Sequence, residues 1–282
     1  MATAPSSTFQ PVTAGMRRIL YTASALVLIA GIPLIFLTEH TDRFFAWTIQ
    51  SNLTAAFLGA AYCSSFVLEF LAARELLWAH ARSTVPAVLV FTVLTLVATL
   101  LHIDKFHFNA PELITRAGTW LWMVIYVLVP IILLVLLVRQ WLVPGTTPAR
   151  QLPVPGWLRL LGCVNVALTI GFGLLLLLIP AQVAPLWPWA LTTLTARAMG
   201  AWWVGLGLLA LSDLWENDAA RVRAIRVSMV VFSLLQFVAL ARYPAEPDWG
   251  RWTMWVYLLF LLEFLVIGAQ GLLAIRRAPQ QT

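Results

Sequence analysis

The sequence predicts an all-helical, polytopic membrane protein with eight transmembrane helices, arranged as two parallel four-helix repeats. Two observations carry this prediction. Of the 282 residues, 61% are hydrophobic and only 11% are charged, whereas soluble domains carry about 25% charged residues. The apolar residues also gather in eight runs, each close to the roughly 20 residues that a spanning helix needs. Lipid rather than water is therefore the expected solvent for most side chains, and the bilayer is the expected partner.

The eight apolar runs follow one another with short polar segments between them. We predict spans at 19–37, 52–72, 84–101, 119–138, 160–180, 198–214, 225–241 and 252–275. The Pro-rich segment 139–157 holds no apolar run and is predicted to be a cytoplasmic linker. It separates a first repeat at 17–138 from a second at 158–277. A disordered tail at 1–16 and a short tail at 278–282 are expected at the ends.

The two halves of the chain are similar in sequence at a fixed offset. Residues 57–102 align on 198–243 without a gap, shifted by 141 positions, with eleven identities in 46 aligned positions. The identities include glycine, arginine and aromatic residues: Gly59-Ala60 on Gly200-Ala201, Arg82 on Arg223, and Val90-Phe91 on Val231-Phe232. Four spans per repeat is an even number, so both repeats enter the membrane from the same side, as parallel repeats do.

The basic residues indicate topology rather than a nucleic-acid partner. The net charge is +6, and the 18 Lys and Arg residues lie between the apolar runs or at their ends. Twelve fall on the side that holds both termini and six on the other, which predicts cytoplasmic termini in the inner (plasma) membrane. Outer aromatic residues are expected to form a belt at the headgroup level. Two outer segments, 44–51 and 186–193, are expected to be interfacial helices, with re-entrant segments as the alternative.

Ionisable residues inside the spans are the first candidates for a functional site, because a charge in hydrocarbon costs at least about 2.5–3.5 kcal/mol. Glu263 lies in the eighth span at a depth of about 16 Å, and Gln270 follows two turns later on the same face. We expect Glu263 to face other helices or a polar cavity, either as a binding group or as a neutral carboxyl that joins two helices. Glu69 and Asp213 lie near cytoplasmic span ends, where arginine or water can reach them, which favours a structural role.

A polar stripe follows one face of the third span. Its members are spaced by 3, 4 and 3 residues: Thr92, Thr95, Thr99 and His102. This spacing places them on one helix face, and the aligned face of the second repeat carries Gln236. The recurrence predicts an interior groove in the outer half of the membrane. The alternative is that the hydroxyls bond their own helix carbonyls or join neighbouring helices.

Few other residues suggest chemistry. Arg197 begins the sixth span, where it can hold an anionic headgroup or substrate, or extend to the interface. His102 and His107 are five residues apart and do not share a helix face, so we predict no metal site, which would need three or four ligands. The sequence has no Walker loop, GxGxxG, HExxH or GxSxG motif, which argues against ATP-driven transport and familiar hydrolases. Cys63 and Cys163 are expected to be small core residues.

Two stretches of the second repeat follow a family pattern. An apolar helix ends in proline, and a glycine-rich helix opens on Arg-x-x-Gly: Gly171-x-Gly173 to Pro180, and Arg197-Ala-Met-Gly200 to Gly205-Leu-Gly207. These stretches resemble the DoxX-like four-helix membrane domains over about half of the chain. The first repeat departs from the pattern, with Ala55 near the position of Arg197 and no proline after its first span. Some DoxX-like proteins are linked to membrane redox or quinone chemistry, and the resemblance implies such a role.

Three hypotheses for the function follow from these observations. The first is a protein that binds or transports a small or lipophilic molecule between the two repeats, with Glu263, Gln270, Gln236 and the polar stripe as its contacts. The second is a redox- or quinone-associated membrane protein, and the third is a non-catalytic subunit of a membrane assembly. A non-enzymatic role is favoured over an enzyme. The sequence predicts no particular cofactor, and it leaves the oligomeric state open.

Overall fold

A computed structural model describes residues 9–277 and is all-helical. Eight of its helices are long and apolar enough to cross a membrane, so the chain is a multi-pass membrane protein and the predicted all-helical class with eight spans is confirmed. The arrangement as two parallel four-helix repeats stays a prediction. We label them α1–α8 in chain order: Ala14–Phe36, Asn52–Arg74, Thr84–Leu101, Leu113–Trp141, Gly156–Leu178, Thr193–Glu216, Arg223–Arg242 and Trp252–Arg277. Short helical turns lie between them at Thr38–His40, Thr41–Phe44, Trp78–Ala81, Ile103–Lys105, Pro180–Val183 and Ala184–Leu186.

Local capping sets several of the helix bounds. The Thr13 hydroxyl accepts a hydrogen bond from the Met16 backbone N–H, so α1 begins ahead of the apolar run. The Ser51 hydroxyl does the same for α2, and Thr192 caps α6 through a reciprocal pair of bonds with Thr195. At the other end of α6, Asn217 takes a left-handed conformation with φ 47°, which is a common way to end a helix.

The eight helices pack as a closed ring in which each half of the chain forms one continuous arc, and the two arcs meet at the α2–α7 and α3–α6 contacts. Around the ring the order is α1, α2, α7, α8, α5, α6, α3 and α4, and α4 closes it against α1. The interior helices α2, α3, α6 and α7 have 50–78% of their spanning windows buried, against 28–33% for the outer four. The hairpin of α3 and α4 therefore packs on α6 of the other half, and α7 with α8 packs on α2.

Glycines allow the closest helix pairs to form. A Cβ at Gly59 in α2 would lie 2.8 Å from the backbone N of Ile35 in α1. A Cβ at Gly200 in α6 would lie 2.7 Å from the carbonyl oxygen of Gly173 in α5. Only glycine permits such an approach of two backbones, which is a frequent device in membrane helix pairs. The α1–α2 and α5–α6 contacts thus have the same basis.

We call the bundle end that carries residues 9–13 and the linker the proximal face, and the opposite end the distal face. On the proximal face, residues 9–16 are ordered, so the prediction of a disordered tail over 1–16 is wrong there, and residues 1–8 lie outside the described residues. The Gln10 side chain donates to the carbonyls of Gln140 and Val143 at 3.0 Å each. In return the Gln140 side chain donates to the Pro11 carbonyl at 2.8 Å. These bonds hold the segment against the end of α4.

The linker is shorter than predicted, because α4 continues to Trp141 and α5 begins at Gly156. It is held by the turn after α6. Asp218 accepts backbone hydrogen bonds from Gln151 and Leu152, and the Asn217 side chain accepts one from Val154. The proline-rich segment is thus attached to the second half along much of its length.

On the distal face the segments 44–51 and 186–193 are largely irregular rather than helical, and their tryptophans are buried, so the expectation of interfacial helices is wrong. Trp47, Trp187 and Trp189 are all buried. The Trp189 indole donates to the Thr54 hydroxyl at 2.9 Å, which fixes its segment against α2. Seven of the 14 tryptophans are buried and seven are exposed. The aromatic residues therefore form an interior core near the distal face as well as an outer surface.

Candidate binding cavity and buried polar clusters

The polar stripe of α3 is buried and bonds largely to its own helix. The Thr92 hydroxyl donates to the Leu89 carbonyl at 2.9 Å, and the Thr99 hydroxyl donates to the Thr95 carbonyl at 2.8 Å. Thr99 also accepts from the indole of Trp122 in α4 at 3.1 Å. The stripe therefore joins α3 to α4. The aligned face of the second half, which carries Gln236, does not meet it in a common groove.

Gln236 links three helices at a fully buried position, 1% exposed. Its side-chain amide in α7 donates to the Phe57 carbonyl of α2 at 3.1 Å. Its carbonyl oxygen accepts from the Tyr257 hydroxyl of α8 at 3.0 Å. With both ends of the amide bonded to protein, Gln236 holds helices together and is not brought next to Thr92, Thr95 or Thr99.

Arg197 and His102 form a pair at the distal ends of α6 and α3. The Arg197 guanidinium donates from Nη1 to His102 Nε2 at 2.6 Å and from Nε to the Leu177 carbonyl at 3.0 Å. An imidazole nitrogen that accepts from a guanidinium carries no proton. Burial and the charge of Arg197 accordingly lower the pKa of His102. Arg197 thus binds within the protein and does not extend freely to the interface.

His107 lies apart from this pair. Its Nδ1 bonds the Phe45 carbonyl at 3.0 Å and its Nε2 bonds the Thr48 hydroxyl at 3.1 Å, so it holds the extended segment 44–51. Within residues 9–277, no group of three or more His, Cys, Asp or Glu side chains is placed to hold a metal ion. The two histidines therefore serve separate contacts.

Glu263, the leading candidate from the sequence, faces α5. The Asn165 side chain donates to one Glu263 carboxyl oxygen at 3.2 Å. The other carboxyl oxygen and the Asn165 carbonyl oxygen are both buried without a hydrogen-bond partner. Glu263 and Asn165 thus form an incompletely bonded polar pair between the two outer helices α8 and α5. Asn165 is 1% exposed and was not among the sequence candidates.

Arg226 forms a second polar cluster closer to the proximal face. Its guanidinium is 0% exposed and donates to Asp213 at 3.0 Å, to the Ile267 carbonyl at 3.2 Å and to Gln270 at 3.3 Å. From the sequence, Arg226 was counted only as a topology signal. One signal in the sequence could have indicated the pair. Arg226 lies three residues after the start of α7, and Asp213 lies three residues before the end of α6, so the two charges are at similar depths.

A cavity connects the two polar clusters. It lies between α5, α6, α7 and α8, with an empty volume of about 370 Å³ that includes its opening. Asn165, Asp213 and Arg226 line it, and Arg159 lies at its edge. Its lining includes Asn165, which bonds Glu263, and Arg226, which bonds Gln270.

Glu69 lies in the middle of the bundle, which corrects the expectation that arginine or water reaches it. It is 3% exposed, and one carboxyl oxygen is buried with no partner. Arg74 lies five residues later and points to another side of the helix, over the ring of Phe70. Arg17 donates to the Ala73 carbonyl, and Arg82 is paired with Glu216 at 2.5 Å. No described arginine or lysine forms an ion pair with Glu69.

Glu69 lines a central cavity to which both halves of the chain contribute. The cavity lies between α1, α2, α3, α6 and α7, and its empty volume is about 590 Å³ including its opening. Apart from Glu69, the lining is made of serine, aromatic and aliphatic residues: Val27, Ser64, Ser65, Leu68, Ala87, Val88, Phe91, Trp202, Gly205, Leu206, Leu209, Ser228, Met229 and Phe232. An unpartnered carboxyl in an otherwise apolar cavity is the arrangement expected of a binding site.

No family model matches this chain, and no curated protein or solved structure is similar to it. The resemblance to DoxX-like domains therefore stays a prediction.

Proposed function

We propose that the protein binds a small, largely apolar molecule in the central cavity between its two halves, as a carrier or a binding protein. The observation that carries this proposal is the Glu69 carboxyl, which is buried in the cavity without a partner. A buried carboxyl without a bond costs free energy of folding. Such a cost is most simply explained by a ligand that supplies the missing partner.

The lining of the cavity supports a site between two repeats. Six pairs of lining residues are related by the offset of 141: Ser64 and Gly205, Ser65 and Leu206, Leu68 and Leu209, Ala87 and Ser228, Val88 and Met229, Phe91 and Phe232. The cavity thus lies where two parallel repeats would meet on their common axis, which is where many transporters bind substrate. Glu69 aligns with Ala210, so one half alone supplies the carboxyl.

We further propose that the protein resides in the inner (plasma) membrane with its proximal face in the cytoplasm. The support is the excess of Lys and Arg on the side of the termini, twelve against six. In this orientation Glu69 lies about 7.5 Å from the cytoplasmic end of α2, since it precedes Arg74 by five residues. The ligand would therefore be held in the cytoplasmic half of the bilayer.

Photolabelling in lipid nanodiscs tests the proposal. A long-chain alcohol that carries a diazirine should label peptides from 64–69 and 228–232 in the wild-type protein. Gly205→Leu places a branched side chain in the cavity and should abolish this labelling. Gly171→Leu is the matched control, because a Cβ at Gly171 meets nothing within 4 Å, and it should leave the labelling unchanged. Equal labelling of wild-type and Gly205→Leu protein would refute a cavity ligand.

The quinone-associated and assembly-subunit hypotheses stay alternatives with their own tests. Native protein that carries a quinone should yield it on solvent extraction, and Gly205→Leu should remove it if the central cavity is the site. A subunit of an assembly should purify with its partners. A colourless, quinone-free protein that purifies alone counts against both alternatives.

A further inference from the structure

The oxygen atoms around the central cavity are placed to accept hydrogen bonds. The Ser64 hydroxyl donates its proton to the Ala61 carbonyl at 2.8 Å, and the Ser228 hydroxyl donates to the Ile225 carbonyl at 2.8 Å. Both hydroxyls keep only lone pairs for a ligand. An ionised Glu69 carboxyl also accepts only. A ligand that meets these oxygens must therefore bring hydrogen-bond donors.

The charge of the cavity calls for a cation. Among the described residues, Glu69 has no ion-pair partner, and its unbonded oxygen is buried. An isolated carboxylate in a medium of low polarity is stable only with a counter-charge or after it takes up a proton. A bound cation would stabilise the ionised form of Glu69, whereas the empty cavity favours the protonated carboxyl.

The cavity favours an organic cation over a metal ion. Hard metal ions take about six oxygen ligands, whereas this lining offers one carboxyl and serine hydroxyls among apolar side chains. Aromatic rings supply the remaining surface, and the rings of Phe91 and Trp202 pack with centroids 4.1 Å apart. Aromatic faces attract ammonium groups when water is excluded.

The shape of the cavity favours a slender ligand. The free space is small, with room for only a few water molecules, so the lining side chains must move apart to admit a ligand. Leu68, Val88, Leu206 and Met229 line it, so the body of the ligand must be apolar. A straight alkyl chain fits this space better than a ring system does.

On the basis of the proposed function, we infer that the ligand is a lipophilic primary amine. Its ammonium group would bind Glu69, and its alkyl chain would lie along the aliphatic wall, which the Ser64 and Ser228 hydroxyls interrupt. The chemical class is thus an alkylammonium ion with a single charged head.

Binding of labelled n-octylamine tests this inference, measured by scintillation proximity on protein in nanodiscs, with protein-free nanodiscs subtracted. At pH 7 the amine is charged, and 1-octanol is a neutral competitor of the same length. Octylamine should bind saturably, and octanol should compete about 10- to 100-fold less well, the difference expected of a charge-assisted bond. This comparison uses the wild-type protein and needs no variant.

Variants locate the charge. Glu69→Gln should weaken octylamine binding by about 10- to 100-fold and make octanol and octylamine nearly equal. Glu263→Gln is the matched control, because it changes another carboxyl within the membrane, and it should leave binding unchanged. Octanol that competes as well as octylamine in the wild type, or full octylamine affinity in Glu69→Gln, would overturn the amine assignment. If the diazirine alcohol still labels the cavity in that case, the proposed function stands; if neither probe reaches the cavity, both proposals fail.

Discussion

Arg226 and Asp213 form a buried ion pair at 3.0 Å between α7 and α6, whereas the residues aligned with them in the first half, Val85 and Ala72, are buried in an apolar cluster. Aligned positions of the two halves thus carry an ion pair in the second half and apolar side chains in the first. A scaffold alone does not require the charges, since the first half packs without them.

The ion pair makes a sharp prediction about stability. Asp213→Ala or Arg226→Met alone should lower the free energy of unfolding by about 3–5 kcal/mol, because each leaves an unpaired buried charge. The double variant, which approaches the apolar state of Ala72 and Val85, should recover most of this loss. Unfolding temperatures of the four proteins in one detergent measure the coupling. Losses that simply add in the double variant would show that the two side chains do not stabilise one another.

Gly271 is predicted to be indispensable for the position of Arg226. A Cβ added at Gly271 would lie 2.9 Å from Cζ of Arg226, so Gly271→Ala must displace the guanidinium. We expect a loss of about 1–3 kcal/mol. Gly171→Ala should instead be neutral or stabilising by up to about 1 kcal/mol, because alanine favours the helix and meets no neighbour. Thermal unfolding of the two variants side by side checks the difference, and equal effects would contradict the contact.

The lowered pKa of His102 should make the stability of the protein depend on pH. Burial and Arg197 lower its pKa in the folded protein, so the unfolded chain binds the proton more readily. The stability from the neutral imidazole is present above about pH 6.5, the ordinary histidine value, and is lost as the pH falls through the lower pKa of the folded state.

His102→Gln should remove this part of the pH dependence, because a glutamine oxygen can still accept from Arg197 without titrating. Arg197→Gln should reduce it, because the neighbouring charge is gone. Unfolding temperatures between pH 8 and 5 provide the test. A slope that is the same in wild-type and His102→Gln protein would assign the dependence to other groups.

Asn165 and Glu263 are predicted to depend on one another. Asn165→Leu removes the donor to Glu263 and should cost about 1–3 kcal/mol, because a buried carboxyl oxygen loses its bond. Glu263→Gln should cost less, since its amide oxygen can accept the same bond and its amino group can donate to Asn165. A double-mutant cycle on unfolding temperature measures the interaction. A coupling near zero would place Glu263 among structurally neutral residues.

The sequence predicted the helices well because hydropathy and span length are local properties. The segment at 84–101 agrees with α3 residue for residue, and every member of the Thr92 stripe except His102 is buried. The function of that stripe was not predictable, because a threonine hydroxyl bonds its own helix as readily as a ligand. Burial of Trp47 and Trp187 was equally hidden, since tryptophan suits both an interface and a core.

The site itself was only partly predictable. Glu263 drew attention because it lies deep in a span, while Glu69 was given a structural role because it lies near the cytoplasmic end of its span. The role of Glu69 depends on what its side chain faces, and the neighbours of α2 in the bundle decide this. The ring order places α3, α6 and α7 around it, and a hydropathy pattern carries no information on this order.

The α2–α7 and α3–α6 contacts between the two halves have a consequence for biosynthesis. When α1–α4 have entered the bilayer, α2 still lacks its neighbour α7, and α3 lacks α6. The faces of α2 and α3 that contact the second half then stay exposed to lipid until the later helices are inserted. The contacts between the halves can form only after α6 and α7 have been inserted, and a nascent chain halted after α4 would present unmatched helix faces to the quality-control proteases of the membrane.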